Sequence, residues 1–551
     1  MTTKTAITLL ISLLCPAILH AQENPAGYSE YRYDDLIQLW RQTNNAAGLG
    51  LDSTRQRGYA QIGYEHQSGD YHRVQEGSRT NQLRFETERY QKVGKYLYGF
   101  GRFDFDYGRL QERSWCDVRR PYHSNPFFPG SAIPGKYDFQ DFNFTAALGS
   151  TDISGWRFGL RLDYSVGDLS RLRDPRSRSQ LLDYKLTPAV TRTIGRHTVG
   201  LSGSYQRRKE KITGVTTLQS DAIITYYTMS GLENAEGVTS GYKGYGREWV
   251  NHNFGLEVSY GYHTQAYRLL AKATIERGTE YAYGQYKYED GKFVDYRYGL
   301  SINNILRSGQ VIHSFDAAIS YRQAYADEYV QRYQTEPDKN IESLTYTYPV
   351  RQPDGSIKEE SKTINKTSEY TSYYYTRLLT YKKRFQVKEL NADVHYRMNL
   401  LCDKGIKGYI GARLTYDKSQ DKHLLPDSHF DIANMDMTLE GGYALFGNRL
   451  WIEGSVTSHA NQKADLQLHD PTTDYAQSVL IPDMAYYAAN YWKGTLALTY
   501  QFPLTIKHQR TLWYAKIHGS YLHANKSSLL NIGDDSKMYS QTAGLSVGLY
   551  Y

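Results

Sequence analysis

The sequence has few of the features that mark disulfide-rich, zinc-binding or helical membrane proteins. Its 551 residues include only three cysteines and fifteen prolines. Cys15, Cys116 and Cys402 are too far apart for a zinc-ligand spacing, whereas a Cys116–Cys402 disulfide stays open. After residue 21, no apolar run is long enough for a transmembrane helix. A mature chain that lies in a membrane must therefore cross it with β-strands.

Charge and hydropathy favour the same class of protein. The net charge is +7, and the acidic and basic residues are interleaved rather than gathered into a basic stripe. This pattern predicts no nucleic-acid partner, but a modest positive excess suits anionic outer-membrane lipid and lipopolysaccharide. A mean hydropathy of −0.64 is compatible with a barrel, because only alternate residues of its strands face lipid.

The N-terminus reads as a secretory signal peptide over residues 1–21. Lys4 supplies the positive charge, residues 6–19 supply the apolar core, and Ala21 is the small residue before the cut. We therefore expect export to the cell outer membrane, with Gln22 as the mature N-terminus.

Two segments are candidate lumen plugs. Residues 22–57 are polar and irregular, apart from a short helical pattern in Tyr33–Gln42, and we expect them in the periplasm or in the lumen. The loop 107–137 holds Trp115, Phe127 and Phe128 among several prolines. It is either a second plug or an exposed binding lobe.

From Gly58 onward, apolar and polar residues alternate, as in strands with one apolar face. Clear examples are Phe254–Tyr262 and Leu390–Met398, where charged or small residues occupy the other face. These segments are roughly twice as long as the five or six residues usual in soluble sheets. A tilted membrane strand needs about nine to eleven residues. The pattern predicts an outer-membrane barrel over residues 58–551, with lipid outside and water inside.

Short and long connections alternate along the chain, as do periplasmic turns and extracellular loops. A simple count gives an odd number of strands, since Thr371–Tyr381 also looks β-like. Bacterial single-chain barrels have even strand numbers, so we assign residues 326–385 to one large extracellular insertion with its own hairpin. The predicted fold is all-β: a transmembrane antiparallel up-and-down β-barrel of about 18 strands, with 16 as the alternative.

Charged residues recur on the polar faces of the predicted strands. We expect them to line the lumen and to set its selectivity, because rings of charged side chains control passage through pores. The candidates are Arg102, Asp104, Arg157, Arg161, Asp163, Asp393, Arg397 and Arg413.

Four arginines crowd one predicted loop around the Asp174-Pro175 turn. They form either a rim that selects anionic solutes or a solvated loop that binds lipopolysaccharide phosphates. They are Arg171, Arg173, Arg176 and Arg178.

The last strand, residues 541–551, ends on an aromatic residue. Gly544, Leu549 and Tyr551 resemble the C-terminal signal that the outer-membrane assembly machinery recognises, so that machinery is an expected partner. Gly544–Gly548 also matches G-x-S-x-G, but a nucleophile elbow needs a strand, a turn and then a helix. Here the alternating pattern of a β-strand continues to the last residue. We therefore predict no catalytic residue, no metal site and no cofactor.

Several short motifs resemble outer-membrane barrels of the Bacteroidota, and are similar to an uncharacterised Tyr-rich barrel family in that group. This resemblance implies a barrel over nearly the whole mature chain, a place beside a TonB-dependent receptor, and no known site residues. The motifs are Leu39-Trp40, Asn44–Leu49, Asn125-Pro126-Phe127 and Asp174-Pro175-Arg176.

Asn45–Leu49 also resembles the Asn-Pro-Ala-Gly-Leu hatch motif of long-chain fatty-acid channels, with Ala46 at the proline position. The first hypothesis is passive or accessory transport of small solutes or nutrients across the outer membrane. The alternatives are a surface partner of a TonB-dependent uptake system, hydrophobic uptake like that of fatty-acid channels, and an outer-membrane lipase. Whether the lumen is plugged decides among them.

Overall fold

A computed structural model describes most of the chain from residue 27 onward. The predicted signal peptide, residues 1–21, lies outside the described residues. Within them, no helix has both the length and the apolar character of a membrane span. The described residues are 27–52, 56–119, 125–218, 224–238, 245–284, 289–403, 405–506, 509–525 and 538–551.

Eighteen antiparallel strands form one closed sheet, which confirms the predicted fold class and strand number. Each barrel strand pairs with the previous one in the chain, and β21 closes the barrel by pairing with β1, Tyr550 opposite Tyr59. The barrel strands are β1 (Arg57–Gly69), β2 (Arg79–Val93), β3 (Leu97–Arg113), β5 (Gly135–Ser150), β6 (Trp156–Arg171), β7 (Arg176–Ile194), β8 (His197–Thr216), β11 (Tyr245–His263), β12 (Tyr267–Tyr283), β13 (Glu289–Ser308), β14 (Val311–Arg351), β15 (Ile357–Cys402), β16 (Gly405–Leu424), β17 (Asp427–Leu445), β18 (Leu450–Gln467), β19 (Tyr491–Ile506), β20 (Gln509–Ala524) and β21 (Met538–Tyr550).

The remaining elements belong to the N-terminal segment and the long loops. Three short strands form a small sheet in which β9 pairs with both β4 and β10. These strands are β4 (Phe128–Gly130), β9 (Tyr226–Met229) and β10 (Ala235–Val238), and the helices are α1 (Tyr28–Ile37), the 3₁₀ turns Leu39–Gln42 and Ala46–Gly50, the π-helical turn Ala476–Leu480 and α2 (Ile481–Ala488).

Every second residue of each strand points away from the lumen, and the side chains on this outward face are mainly apolar. Large apolar side chains stay exposed there on strands all around the sheet, and exposed aromatic residues lie near strand ends. Amphipathic rings prefer the lipid headgroup level, so this belt is suited to a bilayer. Representative belt residues are Phe158, Leu160, Leu256, Val258, Ile410, Leu414, Leu496, Trp156, Trp492 and Tyr500.

One end of the barrel carries the short connections, and we call it the short-turn end. Gly195 and Gly309 there have φ of 61° and 59°, a conformation that glycine adopts without strain. The opposite end carries the long loops and is called the long-loop end. In bacterial barrels the short turns face the periplasm. The fully described turns at the short-turn end are 94–96, 151–155, 195–196, 264–266, 309–310 and 446–449, whereas one two-residue turn, 425–426, joins β16 to β17 at the long-loop end.

Residues Glu328–Lys382 form a separate compact unit. It is a two-stranded ribbon made from the end of β14 and the start of β15, closed by a turn in which the Gln352 N–H donates to the Ser356 carbonyl (2.7 Å). The Thr345 and Thr363 hydroxyls meet across it at 2.9 Å. We call this unit the ribbon.

The C-terminal strand is paired on both sides. Gly544 lies against the His518 ring, and Leu549 is buried with Ala60. The Tyr551 N–H donates to the Gly58 carbonyl (2.9 Å). The three residues of the predicted assembly signal therefore take part in barrel closure, while their recognition by assembly machinery stays a prediction. The G-x-S-x-G match lies inside this strand, not at a strand–turn–helix elbow.

Candidate functional site

The lumen wall between the two ends of the barrel is polar. A cavity of about 690 Å³ is lined by side chains of neighbouring strands, including Glu276, Asp316, Asp393 and Arg413, and by Gln42 of the N-terminal segment. We call this cavity the lumen chamber. Its carboxylates, guanidinium groups and amides are suited to hold water or a hydrated solute.

Most of the predicted lumen charges form ion pairs with neighbours. Because each pair is close to neutral, the wall does not present a bare ring of one charge. The pairs are Arg102 with Glu86 (3.0 Å) and Asp104 (3.0 Å), Arg157 with Asp152 (2.9 Å), Arg161 with Asp163 (2.9 Å), Arg397 with Glu440 (2.6 Å), and Arg413 with Asp393 (2.5 Å).

Residues 27–52 lie inside the short-turn end, and we call them the N-terminal plug. Helix α1 starts at Gly27, whose N–H donates to the Glu30 carboxylate (3.0 Å). The second 3₁₀ turn of the plug is capped by Asn45, whose side chain accepts a hydrogen bond from the Ala47 N–H (3.0 Å). Such local caps satisfy the free N–H groups of a short segment that has little room for regular structure.

The plug is bound around nearly the whole circumference of the barrel. Hydrogen bonds reach it from strands on opposite sides of the sheet, so it spans the opening rather than lining one wall. These bonds join Tyr90 to the Leu49 carbonyl (2.7 Å), Asn45 to the Val190 carbonyl (3.2 Å), Arg268 to the Ile37 carbonyl (2.8 Å), Trp451 to the Ser29 hydroxyl (3.1 Å) and the Tyr28 N–H to Gln501 (2.8 Å).

Glycines in adjacent strands make room for the plug. A Cβ on Gly149 would lie 2.4 Å from the Ala46 carbonyl oxygen, and one on Gly159 would lie 2.2 Å from the Ala47 nitrogen. Gly200 and Gly261 likewise leave space for the Trp40 ring. The plug backbone thus packs directly on strands β5 and β6, and larger side chains there would push it out.

The plug also carries largely buried ion pairs and a small apolar anchor. Arg41 pairs with Glu88 (2.5 Å), and Arg32 pairs with Glu453 while lying 4.5 Å from the centre of the Tyr409 ring. The apolar anchor is Ile37, Leu39 and Trp40, packed on Leu270, Ile305 and Ile312.

Asp52 fixes the fold of the plug itself. Its carboxylate accepts from the Trp40 N–H (2.9 Å). Burial raises the pKa of Asp52 to about 7, because a charged carboxylate is poorly solvated there.

Three long loops fold over the lumen at the other end, and we call residues 113–119, 125–131, 224–238 and 468–490 the cap. Their apolar side chains form a large buried cluster with residues of the strand ends. The Trp249 indole N–H donates to the Phe127 carbonyl (2.7 Å), which ties the first of these loops to β11. Trp115, Phe127 and Phe128 thus lie inside the barrel mouth and do not form an exposed lobe.

A buried polar network joins the cap loops. The Tyr137 hydroxyl donates to Asp117 (2.6 Å), the Tyr226 hydroxyl donates to the same carboxylate (2.9 Å), and Arg171 donates to the Tyr137 oxygen (2.6 Å). The side chains of Asp117 and Arg171 are fully buried, 3.6 Å apart. Such pairs are costly to break, because the remaining charge stays desolvated.

The four rim arginines have separate surroundings. Arg171 belongs to the buried cap network, whereas Arg178 pairs with Asp168 (2.7 Å) at the surface. Arg176 lies 3.4 Å from Asp174, and Arg173 is exposed. An anion-selecting or lipopolysaccharide-binding role for the three outer arginines stays a prediction.

The two cysteines among the described residues, Cys116 and Cys402, are free. Cys116 is buried in the cap, and burial raises its pKa to about 11. Cys402 ends β15 at the short-turn end, beside Glu30 and Tyr33 of the plug.

Sequence reasoning left open which segment fills the lumen, and it missed the contribution of residues 468–490. The signal for the plug is in the strands: glycines facing the lumen next to the short turns, at Gly149, Gly159, Gly200 and Gly261. The signal for the third cap loop is weaker. Its apolar helix sequence, Ile481–Ala488, is too short to stand out in a Tyr-rich chain.

The fold is similar to several outer-membrane transporters and receptors among solved structures. The outer-membrane transporter YddB from Escherichia coli is 8% identical with a TM-score of 0.40, over 89% of this chain and 80% of that one. The siderophore receptor PiuA from Acinetobacter baumannii is 7% identical with a TM-score of 0.40, over 90% and 82%. A Pseudomonas aeruginosa FadL homologue is 9% identical with a TM-score of 0.32, over 96% and 98%.

No curated protein matches the chain. One family model matches residues 46–551, which include the end of the plug, all eighteen barrel strands and the cap loops. The chain therefore belongs to this family of unknown function (DUF6850).

Proposed function

We propose that this protein is a normally closed uptake barrel of the outer membrane, in which the N-terminal plug is the periplasmic gate. A small solute enters at the long-loop end, occupies the polar lumen chamber, and leaves when the plug moves. The apolar belt and the closed eighteen-stranded sheet support a place in the outer membrane.

The observation that carries this proposal is the way the plug is attached. The plug is held in the barrel by non-covalent contacts: hydrogen bonds, ion pairs and close packing on glycines. The lumen chamber next to it is polar. An eighteen-stranded barrel is wide enough for water once its filling is removed. Displacing one short segment would therefore turn a closed barrel into an open one.

Conductance in planar bilayers tests the proposal. The full chain should be nearly silent, and a variant lacking residues 27–52 should give stable, large conductance steps. A silent deletion variant with a folded barrel would contradict the gate. The matched control deletes the ribbon, residues 328–382, which should leave the baseline unchanged.

The ribbon favours a second candidate function, surface binding of a protein partner such as a receptor of a TonB-dependent system. A two-stranded ribbon is marginal in water by itself, yet this one carries many exposed tyrosines and leucines. A pull-down of the full chain from outer-membrane extract, compared with the ribbon deletion, tests this function. An unchanged partner set would exclude the ribbon as the binding surface.

A further inference from the structure

The cap forms one side of a small, partly open, mainly apolar cavity of about 160 Å³, which we call the cap pocket. It is built from all three cap loops and from the ends of strands β15, β16 and β17, so its shape depends on how the three loops pack together. Its main apolar walls are Phe128, Leu232, Phe385, Phe430, Val479 and Leu480.

The size and lining of the cap pocket limit what it can hold. An apolar cavity of roughly 150 Å³ stays dry and accepts a molecule such as benzene. A cavity of about 160 Å³ with phenylalanine and leucine walls therefore suits a single six-membered ring. A long acyl chain would need more room than this.

One side chain in the lining has an unused donor. Asn125 is 3% exposed, and its Oδ1 accepts from the Phe127 N–H (3.1 Å). Its Nδ2 has no hydrogen-bond partner among the described residues. A buried donor without a partner is costly, so a bound acceptor atom would stabilise this arrangement.

Charge in the lining decides between neutral and anionic ligands. The carboxyl groups of Asp421 and Asp483 both line the cap pocket. A carboxylate or phosphate on the ligand would meet these groups at short range in a poorly hydrated site, which is unfavourable. The pocket therefore disfavours fatty acids and other anions.

We propose that the cap pocket binds a neutral, apolar, single-ring molecule that presents one hydrogen-bond acceptor to Asn125 Nδ2. This inference adds a binding site at the long-loop end of the proposed uptake barrel, and it rests on the proposed function only for the fate of the ligand after binding. Binding itself needs the closed cap and no transport.

Equilibrium dialysis against the full chain in lipid nanodiscs tests this proposal with three probes. Acetophenone has the ring and the acceptor, ethylbenzene has the ring alone, and benzoate has the ring with a negative charge. Nanodiscs carrying the cavity-filling variant Val479→Trp measure partitioning into lipid. Above that baseline we expect saturable binding of acetophenone, about tenfold weaker binding of ethylbenzene, and no binding of benzoate.

Two variants sharpen the result. Asn125→Leu should bring the affinities of acetophenone and ethylbenzene together, because it removes the donor but keeps an apolar wall. Gln477→Trp adds the same bulk to the exposed side of the same helical turn and should bind like the unaltered protein. Heat-modifiable migration on gels checks that each barrel is folded.

Equal uptake by the unaltered protein and Val479→Trp would overturn the proposal, as would benzoate binding as well as acetophenone. A preference for acetophenone that survives Asn125→Leu would also overturn it. These outcomes are independent of the gate: binding with a failed conductance test refutes the proposed function alone, and the reverse refutes the pocket alone.

Discussion

The N-terminal plug and the cap close opposite ends of one lumen with different chemistry. The plug is a short segment held mainly by polar bonds and by backbone packing on Gly149 and Gly159. The cap is a large apolar cluster tied by the buried Asp117–Arg171 network. Polar contacts exchange readily with water, whereas a buried cluster with desolvated charges does not. In the proposed function, the plug is the movable closure and the cap is the stable one.

The largest effect is expected from crowding the plug. Gly159→Leu adds a side chain where a Cβ alone would already meet Ala47. Overpacking of this kind costs roughly 1–3 kcal/mol, so the open fraction should rise about fivefold to 150-fold. Planar-bilayer recording measures it as open-channel time.

Gly203→Leu is the matched control, because nothing lies within 4 Å of a Cβ at that position. It should leave the bilayer recordings silent. If both variants open the barrel equally, the plug contacts are not what keeps it closed.

The buried network of the cap gives the next largest effect. Arg171→Ala leaves Asp117 buried without its cation, which typically costs about 3–5 kcal/mol. We expect a clear fall in the urea midpoint of unfolding. Arg178→Ala removes an exposed pair in the same region and should cost about 1 kcal/mol or less.

A similar midpoint for these two arginine variants would show that the cap is held without its polar network. The plug should be unaffected in both, so the silent baseline in bilayers serves as an internal check. If Arg171→Ala lowers the urea midpoint while the bilayer recordings stay silent, the cap and the plug close the barrel independently.

The stability of the cap should depend on pH, because Asp483 of helix α2 titrates there. Burial raises the pKa of Asp483 to about 7, opposed by Arg73 and by a bond from the Val74 N–H (3.4 Å). The folded pKa lies above the unfolded one, so its stabilisation is complete below about pH 4 and is lost as the pH rises through about 7. The cap should therefore loosen towards neutral and alkaline pH.

Maleimide labelling of Cys116 in a Cys402→Ser background reports this loosening, since Cys116 is buried in the closed cap. Relative to Asp483→Asn at each pH, the labelling rate should rise with pH by up to about tenfold per unit within the window. A constant ratio between the two proteins would rule out Asp483 as the titrating group.

The smallest expected effect concerns ion selectivity in the lumen chamber. In the Gly159→Leu background, Arg413→Gln leaves the Asp393 carboxylate without its ion-pair partner at 2.5 Å. The reversal potential under a salt gradient should move modestly towards cation preference. A shift towards anions would mean that Arg413 does not face the conducting path.

The sequence was sufficient for the barrel because one rule, alternation with period two, acts on every strand. The predicted extracellular insertion, residues 326–385, contains the ribbon Glu328–Lys382, while its extracellular position stays a prediction. Closure of the lumen depends instead on contacts between distant residues, such as Trp40 with Gly200 and Gly261. No local pattern encodes such contacts, so the plug and the cap stayed alternatives.

The predicted lumen arginines also show that contacts between distant residues cannot be read from local sequence. Alternation places Arg102 and Arg161 on the polar face, but it cannot show that Glu86 and Asp163 neutralise them. Likewise, the sequence places all four arginines together, in a selecting rim or in a solvated loop, although Arg171 is buried by residues far along the chain. Charge patterns predict a face, whereas pairing requires the fold.

The most direct test of the movable plug is a reversible cross-link. Cys402 and Tyr33 line the same small cavity at the short-turn end, so Tyr33→Cys can be joined to Cys402 by a short, reducible bis-maleimide in a Cys116→Ser background. With Gly159→Leu present, the cross-linked barrel should be silent and should conduct after reduction. Conductance that is unchanged by cross-linking and reduction would contradict a gate formed by residues 27–52.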